Sequence, residues 1–189
     1  MAGPEHLRRA ALGVVAALLL AACGATSAGA PPSGDRSAAS TAGPSRASTD
    51  LPATPVETFD GDTAALTDYV GTSLVVNFWA SWCPPCIAEM PDLEAVHQLT
   101  DGQVAFVGVN TQDTPDRAEA LAVETGVTYD LVRDPDGALF QAFGGIGMPS
   151  TFYVDRDGNI VERHTGLLTR EAMLDDLREH LGVDAGPSA

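Results

Sequence analysis

Apolar residues fall along the chain in short runs of two periods, which lay out strands and helices in alternation. Leu74-Val75-Val76-Asn77-Phe78-Trp79 is a nearly continuous β-branched and aromatic run and predicts a buried strand over residues 73–80. Residues 87–100 carry apolar positions at helical spacing, with Leu93, Val96 and Leu99 as the expected buried stripe. Pro91 lies inside that stretch, where it removes one backbone hydrogen bond and is expected to kink the helix. A second buried strand is predicted over residues 104–110, and a helix over 115–125 with its proline in the first turn. A short strand over 127–132, a short helix over 138–143 and a strand pair at 151–154 and 160–163 follow. An amphipathic helix over 168–181, with Leu174, Leu177 and Leu181 on one face, closes the series. Upstream, residues 56–59, the turn Asp60-Gly61-Asp62 and a short helical segment over 66–70 lead in. Strands alternating with helices give an α/β class with a central sheet flanked by helices.

The pattern also divides the chain. Residues 1–22 place Arg8-Arg9 ahead of an apolar run that ends in small residues at Cys23, the form of a targeting signal. The run is too short to cross a bilayer core of ~30 Å unaided. Residues 23–55 are rich in Ala, Ser, Thr, Gly and Pro, with almost nothing to bury, and are expected to form a disordered tether. Residues 56–183 are expected to form one domain, and 184–189 a tail.

Charge narrows the set of partners. The net charge is -16, with 26 acidic residues against 10 arginines and no lysine, so nucleic acid is not expected as a partner. An acidic, solvated, monomeric domain is the expectation. Asp134-Pro135-Asp136-Gly137 and Asp155-Arg156-Asp157-Gly158-Asn159 suggest calcium loops. Neither continues with the glycine and glutamate that such a loop requires, so both read as turns.

The chemistry centres on Trp82-Cys83-Pro84-Pro85-Cys86. Two cysteines three apart on the first turn of a helix lie one turn from each other, within reach of a disulfide that can open and close. Cys83 is expected to face outward, its thiolate stabilised by the helix N-terminus, and Cys86 to sit deeper and resolve a mixed disulfide. Pro84 and Pro85 bring no N–H groups, leaving the Cys86 N–H as the expected donor to the Cys83 sulfur and a moderately lowered Cys83 pKa. A structural zinc site would need four ligands, and His6, His97, His164 and His180 are not paired at ligand spacing, so no metal is assigned. A bridge closing so small a loop removes little chain entropy, which favours redox use over a structural staple. Glu89, three residues after Cys86, falls on the same helical face.

Residues 75–91, read as Val75-Val76-Asn77-Phe78-Trp79-Ala80-Ser81-Trp82-Cys83-Pro84-Pro85-Cys86-Ile87-Ala88-Glu89-Met90-Pro91, resemble the active-site segment of the TlpA/ResA-like (DsbE-like) thiol-disulfide oxidoreductases. The resemblance implies a thioredoxin-like fold with an N-terminal hairpin and a central insertion, and no cofactor beyond the redox-active disulfide. It implies a proton-handling role for Glu89, and it sets Asn77 where thioredoxins proper carry a buried aspartate. It implies a cis Pro149 facing the cysteines, with Met148 and Trp82 as substrate contacts. Leu20-Ala21-Ala22-Cys23 resembles the lipobox of bacterial lipoproteins, which implies a lipid on Cys23 and a place on the outer face of the cell membrane. Implied partners are exported cysteine-containing proteins, apocytochrome c among them, and a membrane thiol electron carrier. Reduction of clients is the leading expectation. Oxidation of clients, or Cu(I) carriage by Cys83, Cys86 and Met148, are the alternatives.

Overall fold

The computed structural model describes residues 50–186. Within it, β1 (Pro55–Thr58) and β2 (Thr63–Ala65) form a hairpin, followed by a 3-10 turn at Leu66–Tyr69. Then come β3 (Ser73–Trp79), α1 (Pro84–Thr100), β4 (Val104–Thr111), α2 (Pro115–Thr125), β5 (Asp130–Asp134) and α3 (Ala138–Ala142). The chain ends with β6 (Ser150–Val154), β7 (Ile160–Thr165) and α4 (Arg170–Leu181). One seven-stranded mixed sheet runs β2-β1-β5-β4-β3-β6-β7. Strands β3, β4 and β5 are parallel, and β1, β6 and β7 run against their neighbours. This is the expected α/β architecture: β3-α1-β4 and β6-β7-α4 form two halves, with α2, β5 and α3 between them in the chain.

Strand parity decides what each sheet face meets. Val75 and Tyr153 turn toward α1 and α4, where they pack with Leu93, Val96, Met173 and Leu177. Leu74, Val76 and Phe78 turn the other way, onto Leu139, Phe143, Phe152, Leu66 and Val56. Asn77 and Thr151 share the parity of Val75 and Tyr153, so two polar side chains face α1 from directly paired positions. The buried stripe of α1 is Cys86, Glu89, Met90, Leu93, Val96 and Thr100. Thr100 therefore takes the last place expected for Leu99, which is only half-buried. In α4 the deeply buried residues are Met173 and Leu177, with Leu174 and Leu181 only partly covered.

Other boundaries shift for local reasons. Helix α4 begins two residues later than expected because the Thr169 hydroxyl caps it, accepting from Ala172 N–H at 3.3 Å. Strand β5 lies further along than expected, its register against β4 carrying it to Asp134 opposite Thr111. The domain also starts earlier and ends later. Leu51 is 9% exposed in the core, its N–H donating to Gly158 carbonyl at 2.7 Å, and Ala185 is buried. The tether expected to reach residue 55 therefore gives way to packed chain by residue 51, and the tail expected from residue 184 is still docked at 185. The signal segment, Cys23 and most of the tether lie outside the described residues.

Candidate active site

Register brings five segments to one end of the sheet. Trp79 ends β3 opposite Asn110 of β4, Thr111 pairs with Asp134 of β5, and Ser150 pairs with both Phe78 and Thr165. The Cys83 turn, the loops after β4 and β5, Pro149 and the β7–α4 loop are thus gathered at the carboxyl ends of the parallel strands, where open α/β sheets place their sites.

Cys83 is the N-cap of α1 and is joined to Cys86 by a disulfide, with the two Cα atoms 5.3 Å apart. Cys86 N–H points at Cys83 Sγ at 3.3 Å, the donor left once prolines occupy the two positions between. Cys83 is 4% exposed and Cys86 0%, so Cys86 is the deeper, as expected. Cys83 does not face outward as expected: it is buried in a cluster with Trp79, Ala80, Met90, Ala118 and Leu121. Trp82, 54% exposed, is what stands at the surface beside it, its indole N–H donating to Gln112 carbonyl at 3.1 Å.

Met148-Pro149 is cis, as expected. Pro149 lies one residue before Ser150, level with Trp79 by register, and its carbonyl accepts Gly166 N–H at 2.9 Å. Met148 packs against the cluster that holds both cysteines. Ile146, in the same loop, and Leu167, after β7, are large apolar residues left exposed at this end of the sheet, and sequence reasoning did not single them out.

Glu89 is 1% exposed on the inner face of α1. Its carboxylate accepts from Asn77 Nδ2 at 2.7 Å and from Leu168 N–H at 3.0 Å, so it ties α1 to β3 and to the β7–α4 loop. Burial pushes its pKa up from 4.5 to about 7, against the lowering effect of the Leu168 and Asn77 donors. Asn77 also donates to Thr151 Oγ1 at 3.1 Å, while its Oδ1 has no hydrogen-bond partner among the described residues. The partnership of Asn77 with Glu89 was hidden in the sequence because it spans a strand and a helix. The visible signal was the place of Glu89 three residues after Cys86, on the same helical face.

The acid-rich turns are turns. Asp134 accepts from Leu139 and Phe140 N–H groups in the first turn of α3, whose N-cap is Gly137, and Asp155 accepts from Asp157 and Asn159. Among the described residues no group of three or more His, Cys, Asp or Glu side chains is placed to hold a metal ion, and no helix is long and apolar enough to cross a membrane.

The family profile described as Redoxin matches residues 46–181. The chain belongs to the Redoxin family. Within it, the thiol-disulfide oxidoreductase ResA of Geobacillus thermodenitrificans is 32% identical over 123 residues, which cover 65% of this chain and 68% of that protein. The thiol:disulfide interchange protein HelX of Rhodobacter capsulatus is 42% identical over 104 residues, covering 54% of this chain and 57% of HelX. The solved structure of MTB dsbF in mixed oxidised and reduced forms has a TM-score of 0.60 at 28% identity, over 65% of this chain and 93% of that one. A thioredoxin-family thiol:disulfide interchange protein from Chlorobium tepidum has a TM-score of 0.63 at 26% identity, over 74% of this chain and 100% of that one. This Redoxin domain thus has the thioredoxin-like fold and belongs with the thiol-disulfide oxidoreductases, and its Cys83 and Cys86 lie at disulfide distance.

Proposed function

We propose that the chain is an extracytoplasmic disulfide reductase, held at the membrane by a lipid on Cys23, that passes electrons from a membrane thiol carrier to exported proteins. The observation that carries the catalytic part is the Cys86 N–H aimed at Cys83 Sγ at the start of α1. In the reduced form this donor and the helix N-terminus stabilise a Cys83 thiolate. The thiolate attacks one sulfur of a client disulfide, forming a mixed disulfide and expelling the client's other sulfur as thiolate. Cys86 then attacks Cys83 Sγ, the mixed disulfide breaks, and the client leaves as a dithiol while the pair is left as the disulfide seen here. Two electrons move from the pair to the client, and the membrane thiol carrier restores them.

Glu89, its pKa near 7, takes the proton that Cys86 loses when it becomes the nucleophile. Pro149 and Met148 present an edge for an extended client segment, with Trp82 beside it. Apocytochrome c is the client class proposed, on the strength of the resemblance to ResA-like proteins. Equilibration against glutathione tests the direction. A potential below about -220 mV supports the reductase, and one above about -150 mV overturns it in favour of an oxidant. Incorporation of labelled fatty acid that is unaffected by Cys23→Ser would remove the anchor from the proposal.

A further inference from the structure

The steps above leave unused the carboxylate with the most donors at this end of the sheet. Asp113 lies two residues beyond β4 and is half-buried. Its Oδ2 accepts Ser81 N–H at 2.6 Å and Asn110 Nδ2 at 3.0 Å. Its Oδ1 accepts Ser81 Oγ–H at 2.9 Å and Thr114 N–H at 2.8 Å. Two of the four donors therefore belong to one residue of the turn that leads into Cys83. Asp113 is not the cap of α2, whose N-cap is Thr114.

That turn has few other restraints. Strand β3 ends at Trp79, α1 begins at Pro84, and Pro84 and Pro85 contribute no N–H groups. Between them the backbone supplies Cys83 N–H to Ala80 carbonyl at 3.1 Å, with Ile87 N–H on Cys83 carbonyl at 3.2 Å. The remaining hold on Ser81 and Trp82 comes from the loop after β4, through Asp113 and through the Gln112 carbonyl that receives the Trp82 indole. Gln112 is itself fixed. It adopts a left-handed backbone with φ of 50°, donates its N–H to Asp134 carbonyl at 3.1 Å, and its side chain lies against Gly137. The loop is thus anchored to the far end of β5, and it anchors the cysteine turn in its place.

We propose that Asp113 is a positioning residue for thiol-disulfide exchange: with Gln112 it fixes Ser81 and Trp82, and so sets the line along which a client sulfur reaches Cys83. The inference rests on the exchange reading above. Asp113 touches neither sulfur in the structure's hydrogen bonding, and its four donors outweigh burial and hold its carboxyl below the ordinary value, so it is an anchor rather than a proton acceptor. Small losses of alignment in a displacement at sulfur are costly in rate, because attack needs the nucleophile and both sulfurs of the disulfide in line.

The test uses the full chain, reduced, in single-turnover exchange with a peptide disulfide, at a pH where Cys83 is fully thiolate so that protonation does not enter. Asp113→Ala is expected to slow attack by about tenfold and Ser81→Ala, which removes one of the four donors, by about threefold. Trp82 is expected to become more quenchable by acrylamide in Asp113→Ala, and the fully buried Trp79 keeps that signal assignable. A purely structural role would lower the melting temperature and leave the folded protein's rate untouched. Attack at the wild-type rate by folded Asp113→Ala, or by Ser81→Ala where the first variant does not fold, overturns the proposal. Absence of exchange by the unaltered chain overturns the functional reading as well.

Discussion

Glu89 lies on the helix that Cys83 caps and Asp113 holds the turn that leads into it, and burial pushes both carboxyls upward, yet they end on opposite sides of their ordinary values. Glu89 is nearly inaccessible and has two donors, the Asn77 amide and the Leu168 N–H, too few to outweigh desolvation. Asp113 is half-buried and has four, two of them from Ser81, and its pKa falls. The lesson is one of balance. A carboxylate becomes a proton carrier where burial exceeds its hydrogen bonds, and a fixed anchor where the hydrogen bonds exceed its burial.

Both roles presuppose the sulfurs, so the largest expected effects are there. Cys83→Ser is expected to abolish exchange with a peptide disulfide, because no attacking thiolate remains. Cys86→Ser is expected to stall after the first step, with the client trapped on Cys83. A covalent adduct visible by mass in Cys86→Ser and absent in Cys83→Ser checks the order of the two steps. Turnover by both variants would remove the chemistry on which either carboxylate acts.

Glu89→Gln comes next and separates the two roles. The wild-type exchange rate is expected to change with an inflection near pH 7 that the variant lacks. Stability gives an independent reading with a definite sign. Because the folded-state pKa is raised, the neutral carboxyl stabilises fully below about 4.5, and that contribution is lost as pH rises through about 7. The slope is at most about 1.4 kcal/mol per pH unit. Urea unfolding of the oxidised protein should therefore show falling stability over this window in the wild type and little change in Glu89→Gln. Asp113, its pKa lowered, acts with the opposite sign: its contribution is present above the ordinary aspartate range and is lost on acidification. An unchanged pH profile in Glu89→Gln would mean that burial at Glu89 has no chemical use.

These two carboxylates also mark what the sequence could reveal. The alternating strands and helices, the cysteine pair on its helix and the Cys86 N–H contact followed from local patterns, whose causes lie within a few residues of each other. Glu89 stood out because it lies three residues after Cys86 on the same helical face, although its partners Asn77 and Leu168 lie 12 and 79 residues away. Asp113 gave no such sign. Beside Thr114-Pro115 it looks like an ordinary acid at a helix start, and its bond to Ser81 spans 32 residues of sequence. The outward-facing Cys83 failed for a related reason, since its side chain is buried in the cluster with Trp79 and Met90, a consequence of packing that spacing alone does not carry.

The smallest expected effect comes from a third carboxylate, which controls for hydrogen-bond number. Asp155 closes the β6–β7 turn, accepting Asp157 N–H at 2.9 Å, Asn159 N–H at 2.8 Å and the Asn159 side-chain amide. Its hydrogen bonds hold its pKa below the ordinary value against burial, as at Asp113. The turn lies at the opposite end of β6 from Pro149, away from the cysteines. Asp155→Ala is expected to cost about 1 kcal/mol in urea unfolding, since the turn keeps its backbone bonds from Asp155 N–H to Asn159 carbonyl and from Gly158 N–H to Asp155 carbonyl. Exchange is expected at the wild-type rate. A slowed reaction in Asp155→Ala would mean that losing any well-bonded carboxylate loosens the active site, and the contrast between Glu89 and Asp113 would then reflect general stability rather than their places on the cysteine helix and on the turn that leads into it.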